Sequence, residues 1–183
     1  MLSDEALERA FADCWRNSLD YVAEEHGFSQ EMLAAGWQAA ARTEVQTPMY
    51  GYPDLDVLAE LPARLFLVTS GFRRLQQSKI KALGIQSLFE AIYIDAIDET
   101  DRKGKQAIFK YILDNCSLKP AEVLVVGDNP DSEIEAGNQL GMKTVQILRD
   151  GVAHGNNATH HIYSLAELNT LMRQNEISKA QVT

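Results

Sequence analysis

Three short segments carry the residue types that phosphoryl chemistry needs. VLVVGDNPDSEIEAG puts Asp128 directly after a glycine at the end of an apolar run, with Glu133 five residues on, near the start of a helical pattern. Two carboxylates held this way can share a hard cation such as Mg2+, which takes oxygen ligands and keeps several waters. A lone Asp in such a turn is more often a helix cap; Gly-Asp at a strand end with a second acid in register favours the metal. LFLVTSG brings Thr69, Ser70 and Gly71 to the end of another apolar run. Hydroxyls and free N–H groups in such a turn can hold phosphoryl oxygens, although alone the segment reads as an ordinary strand-to-helix turn with Ser70 as N-cap. DETDRKGKQAIF sets Lys103 and Lys105 just before a helical pattern, where a lysine can neutralise charge developing on a phosphoryl group. Surface lysines are common, so the ordered combination is the specific signal.

These residues need a frame. LFLVT (65–69), AIYID (91–95), VLVVG (123–127) and TVQIL (144–148) are short apolar runs without polar alternation, separated by helical patterns. Such runs predict buried strands of a parallel sheet covered on both faces, with ligands bound beyond the carboxyl ends of the strands. Polar residues there are Thr69, Ser70, Asp95, Asp98 and the stretch from Asp128 to Glu133. A further strand is expected at 161–163, followed by a capping box, Ser164 to Glu167. Ahead of all this, Leu7, Phe11, Cys14, Trp15, Leu19 and Val22 share helical spacing over 4–25, with Gly27 as stop and a second helix capped by Ser29. The turn-rich 47–56 marks a boundary. The expected organisation is a helical, cap-like module (1–47), a doubly wound α/β core (48–175) and a polar tail (176–183).

Composition narrows the partners. Seventeen Lys and Arg against 26 Asp and Glu give a net charge of -9, which disfavours a phosphate backbone as partner. No apolar run approaches membrane-spanning length, and the acidic N-terminus is unlike a signal peptide. A soluble, cytoplasmic protein with Cys14 and Cys116 as buried free thiols is expected.

The order apolar strand-Thr, Lys before a helix, then strand-Gly-Asp with a second acid resembles the haloacid dehalogenase-like (HAD) hydrolase superfamily over about residues 48–170. The resemblance implies a Rossmann-like core with a helical cap, and Mg2+-dependent hydrolysis of a small phosphorylated metabolite. Thr69 would orient a phosphoryl oxygen. Aligning on Ile108-Phe109 selects Lys103, with Lys105 as the alternative, to stabilise charge and fix the nucleophile. Asp128 would hold the metal, and Glu133 would support it directly or through the lysine or water. Thr69, Ser70, Gly71 and Lys103 would bind phosphate.

One motif is missing. Members of this superfamily begin catalysis with an apolar strand ending in Asp-x-Asp, whose first Asp attacks phosphorus and whose second acts as acid and base. Asp54-Leu55-Asp56-Val57 has the letters but follows MYGYP; Asp95 and Asp98 have the wrong spacing. Both pairs read as turn or cap residues. The absent strand would lie between those ending at Thr69 and Gly127, leaving a gap or forcing them to pair. Residues 4–45 look like the cap that follows this motif, so the chain reads as starting just after it: a truncated member or, second, a degenerate one. Either is expected to be nearly inactive as written. The alternative is a non-catalytic protein that keeps the phosphate and metal cradle; a phosphoacceptor receiver domain fits less well, because its acceptor Asp ahead of the Thr is also absent.

Other features carry less. His154, His160 and His161 lack partners at zinc-site spacing and read as loop or strand-edge residues. Trp15 and Trp37 read as the packing core of the helical module, and Arg73-Arg74 as a solvated helix face.

Overall fold

The computed structural model of the chain describes residues 3–14 and 18–180. Three helices come first: α1 (Asp4–Asp13), α2 (Leu19–Glu25) and α3 (Gln30–Arg42). Each begins at a serine, Ser3, Ser18 or Ser29, whose hydroxyl accepts from the backbone N–H three residues on. That satisfies an orphan donor of the first turn. The single helix expected over 4–25 is therefore two, because Ser18 starts a helix of its own; Trp15 lies outside the described residues. Phe11 is 68% exposed and Cys14 is exposed, so the expected buried face and buried thiol are corrected; Cys116 is half-buried.

The remainder is α/β. Strands β1 (Phe66–Gly71), β2 (Ala91–Ala96), β3 (Leu124–Gly127), β4 (Lys143–Ile147) and β5 (His160–Ile162) alternate with α4 (Arg73–Leu83), α5 (Gly104–Cys116) and α6 (Glu135–Gln139), and α7 (Leu165–Ala180) follows β5. All pairings are parallel. The strands form two sheets, β1-β2 and β3-β4-β5, with no ladder joining β1 to β3 among the described residues. Of the two outcomes open for the strands ending at Thr69 and Gly127, the structure shows the gap.

Packing spans that gap on both faces. On one, Phe109 and Leu113 of α5 join Val125 of β3, Ala136 and Met142, with Val68 of β1 against the cluster. On the other, Leu61, Val145, Ile162 and Leu168 form a cluster that Leu65, Leu124 and Val126 pack against. All of β1 is only half-buried, whereas Thr144, Val145 and Gln146 of β4 are fully buried. The flanking strands thus lack the cover that their apolar sequence is suited to.

Candidate active site

At the mouth of β3 the chain turns sharply into a π-helical turn, Pro130–Ile134, which precedes α6. This turn folds Glu133 back over the strand end, where it is buried. A Cβ on Gly127 would lie 2.1 Å from Glu133 Cγ, so only glycine permits the approach. Glu133 Oε1 accepts from the Asn129 N–H at 2.8 Å, and Oε2 from Lys105 Nζ at 2.5 Å. Burial alone would raise the Glu133 carboxyl, but the Lys105 and Asn129 bonds outweigh it and hold it below its ordinary value. Asp128 behaves oppositely. Although the residue is exposed, partial desolvation of its carboxyl and the negative charge of Glu133 push it up.

The other mouth is tied to this one through α5. Ser70 Oγ donates to Asp95 Oδ2 at 3.0 Å. Asp95, 2% exposed, also accepts from Arg102 Nε and from the Gly104 N–H that opens α5, each at 3.0 Å. One residue on, Lys105 reaches Glu133. A continuous path of bonds thus runs Ser70–Asp95–α5 N-terminus–Lys105–Glu133–Asn129. Thr69 Oγ1 meets Gln76 Oε1 at 3.3 Å, and Gln76 Nε2 donates to the Ser70 carbonyl.

The structure brings Lys105, Glu133 and Asp128 together, and Thr69, Ser70 and Gly71 to the neighbouring mouth. Lys103 is not in this group. It occupies the N-cap position of α5 with its residue exposed, and lines a surface depression with Asp95, Glu99 and Arg102. Asp95 and Asn129 lie at strand ends, which is the signal in the sequence for both; nothing local marks Gln76.

Asp54 and Asp98 are engaged structurally. Asp54 takes Arg149 Nη2 on both oxygens, at 2.8 and 2.7 Å, and the Leu165 N–H at 2.7 Å. Asp98 accepts from the Arg73 N–H at the start of α4. Trp37 of α3 packs edge-on against Phe72, just beyond β1, which seats the helical module beside that strand mouth. Arg74 bonds Glu44, and Arg73 bonds Glu99, so this pair is not a free basic face. His154 and His161 stack at 4.1 Å, and no group of three or more metal-ligating side chains occurs among the described residues. No described helix is long and apolar enough to cross a membrane.

For a cation, the donors are hard oxygens, as Mg2+ requires. Asp128 offers a carboxyl that partial desolvation, the charge of Glu133 and a side-chain hydrogen bond with Glu133 push up, while both oxygens of Glu133 are already bonded to Lys105 and Asn129. The set fits an Mg2+ held by one or two carboxylates and otherwise by water and phosphate.

Comparison with known proteins bears on the family and the fold. N-acylneuraminate-9-phosphatase from Homo sapiens is 33% identical over 90 residues, 49% of this chain and 36% of its own length. Glyceraldehyde 3-phosphate phosphatase from Methanopyrus kandleri is 34% identical over 97 residues, 53% of this chain and 41% of its own length. The chain therefore aligns with well under half of these relatives. Among solved structures, a HAD phosphatase from Thermococcus onnurineus superimposes with a TM-score of 0.60 at 25% identity, covering 92% of this chain and 80% of that one. The magnesium-bound HAD-hydrolase YfnB of Bacillus subtilis shares the fold at a TM-score of 0.64 and 17% identity, over 93% and 84% of the two chains. Residues 5–141 match the haloacid dehalogenase-like hydrolase family, and this chain belongs to it.

Proposed function

We propose that this chain supplies the phosphate- and Mg2+-holding part of a phosphohydrolase for small phosphorylated metabolites, and that by itself it turns substrate over very slowly. The observation that carries this reading is the bonded path from Ser70 through Asp95 and α5 to Lys105 and Glu133, which fixes the two strand mouths against each other. The phosphatase relatives support the reaction class.

In this reading the Thr69 hydroxyl exchanges Gln76 for a phosphoryl oxygen. Ser70 has its hydroxyl committed to Asp95, so Ser70 and Gly71 contribute through their main chain. Lys105, rather than the exposed Lys103, places a cation beside the acids. Asp128 holds Mg2+, and Glu133 anchors Lys105 and the Asn129 backbone. When bound, Mg2+ supplies neutralising charge to the phosphoryl oxygens. Asp54, Asp95 and Asp98 are held by structural bonds, so none is free to attack phosphorus. No ladder joins β1 to β3 among the described residues, and a further apolar strand that paired there would bring an Asp-x-Asp at its end to the same strand mouths. The same engagement of the aspartates favours a second reading, a non-catalytic protein that binds phosphate.

Titration calorimetry with inorganic phosphate, with and without Mg2+, tests the cradle. Binding strengthened by Mg2+ and lost in Asp128→Asn is the expected result; no binding in either condition overturns both readings.

A further inference from the structure

Gln146 is a polar amide at the centre of a fully buried strand segment, with 0% of its surface exposed. An unpaired amide there would cost more than any apolar residue of the same size. Both its N–H groups and its oxygen are bonded instead. Its Nε2 donates to the Asp128 carbonyl at 2.9 Å and to the Ala153 carbonyl at 2.8 Å, and its Oε1 accepts from the Gly155 N–H at 2.8 Å. The register explains the reach: Gln146 stands directly opposite Gly127, the residue before Asp128.

The loop that Gln146 holds is packed onto the turn that carries Glu133. A Cβ on Gly155 would lie 2.5 Å from Pro130 Cβ, and Asn157 Nδ2 donates to the Pro130 carbonyl at 3.0 Å. Asn138, just beyond that turn, donates to the Asn157 carbonyl at 2.8 Å. His161 Nε2 closes the far side on the Gly155 carbonyl at 2.7 Å. Among the described residues, Gln146 is thus the one side chain bonded both to the Asp128 backbone and to the loop behind it.

We propose that Gln146 is a positioning residue: it sets the backbone of Asp128, and through segment 153–157 the turn bearing Glu133, in the geometry that receives a divalent cation. This rests on the reading of Asp128 as a metal ligand, but the backbone restraint is measurable without metal. A ligand's outer partners commonly govern metal affinity by 10- to 100-fold.

The test compares Gln146→Met, which keeps the volume and removes the bonds, with Thr144→Val. Thr144 is equally buried, lies two residues away on the same strand face, and bonds Asn138 and Thr159 rather than Asp128. Amide hydrogen exchange on the metal-free protein is expected to accelerate at 128–130 and 153–155, beside the groups that Gln146 bonds, in Gln146→Met and not in Thr144→Val at matched global stability. Mn2+ affinity is expected to fall about tenfold or more in the first variant only. Equal exchange in the two variants overturns the proposal. Altered exchange in a protein whose wild type binds no Mn2+ upholds the restraint and instead removes the metal reading. If Gln146→Met does not fold, the wild-type side-chain amide of Gln146 decides: slow exchange and a saturable NMR shift on adding Mg2+ are expected, and fast exchange with no shift contradicts the role.

Discussion

At the residue scale, the site depends on one buried ion pair and the glycine that makes room for it. Lys105 and Glu133 have side chains only 16% and 10% exposed, so removing either partner strands a charge. Lys105→Met is expected to cost about 3 kcal/mol in denaturant unfolding and to weaken phosphate binding. Lys103→Met, at an exposed position, is expected to change stability by no more than about 0.5 kcal/mol. The reverse ranking would return the role to Lys103. Gly127→Ala sets a Cβ against the Glu133 carboxylate and is expected to cost about 1–3 kcal/mol, read as a lowered Tm. The choice between the lysines was not legible from sequence. Alignment on Ile108-Phe109 counts residues along the chain, whereas two steps on a helix turn a side chain roughly 200° around the axis. Gln146 was hidden for a related reason: TVQIL reads as a covered strand, but nothing in it tells which distant backbone groups a buried amide will meet.

At the element scale, the strands were the most readable part of the chain. Each observed strand begins and ends within one or two residues of its apolar run, because those runs are bounded by glycine, proline or charge and have no alternative helical face. The N-terminal helices were harder, since Phe11 and Cys14 share helical spacing with apolar neighbours yet lie on the surface, and the cap at Ser18 competes with helix continuation. The role of Asp95 is not legible locally because its bonds come from separate parts of the chain: Ser70 at the end of β1, the loop residue Arg102, and Gly104 opening α5. Replacing it therefore loosens an element more than a contact. In Asp95→Ala, hydrogen exchange is expected to accelerate first over 102–106, ahead of the β3-β4-β5 sheet; uniform acceleration would show that Asp95 does not hold the α5 N-terminus.

At the scale of the whole molecule, two sheets share helices without sharing a ladder. Asp54 contributes to that union: it links the segment before β1 to Arg149 and to the first residue of α7. Burial alone would raise its carboxyl, but the Leu165 N–H and Arg149 outweigh this and hold it below its ordinary value. An acid lowered in the folded state contributes stability that is complete above its unfolded pKa and is lost as pH falls through the lower folded value. Thermal stability should therefore fall on acidification below about pH 4, and the Asp54→Asn variant should show a shallower dependence in that window. Parallel profiles would contradict this. The open edges of β1 and β3 make a second statement at this scale, since unpaired strand edges invite another strand. The gap was foreseeable from the order of motifs; how helix α5 and the Leu65 side packing hold the two sheets together without a central strand was not, because those contacts join distant segments.

The proposed phosphate and metal cradle without a nucleophile of its own is tested by turnover of a phosphate monoester by the pure chain with Mg2+, alone and with a synthetic apolar peptide ending in Asp-x-Asp. Hydrolysis at background is expected for the chain alone, with a gain from the Asp peptide that an Asn-x-Asn peptide does not give. Turnover by the chain alone at the rate of an ordinary phosphatase, on the order of 1–10³ per second, would contradict it.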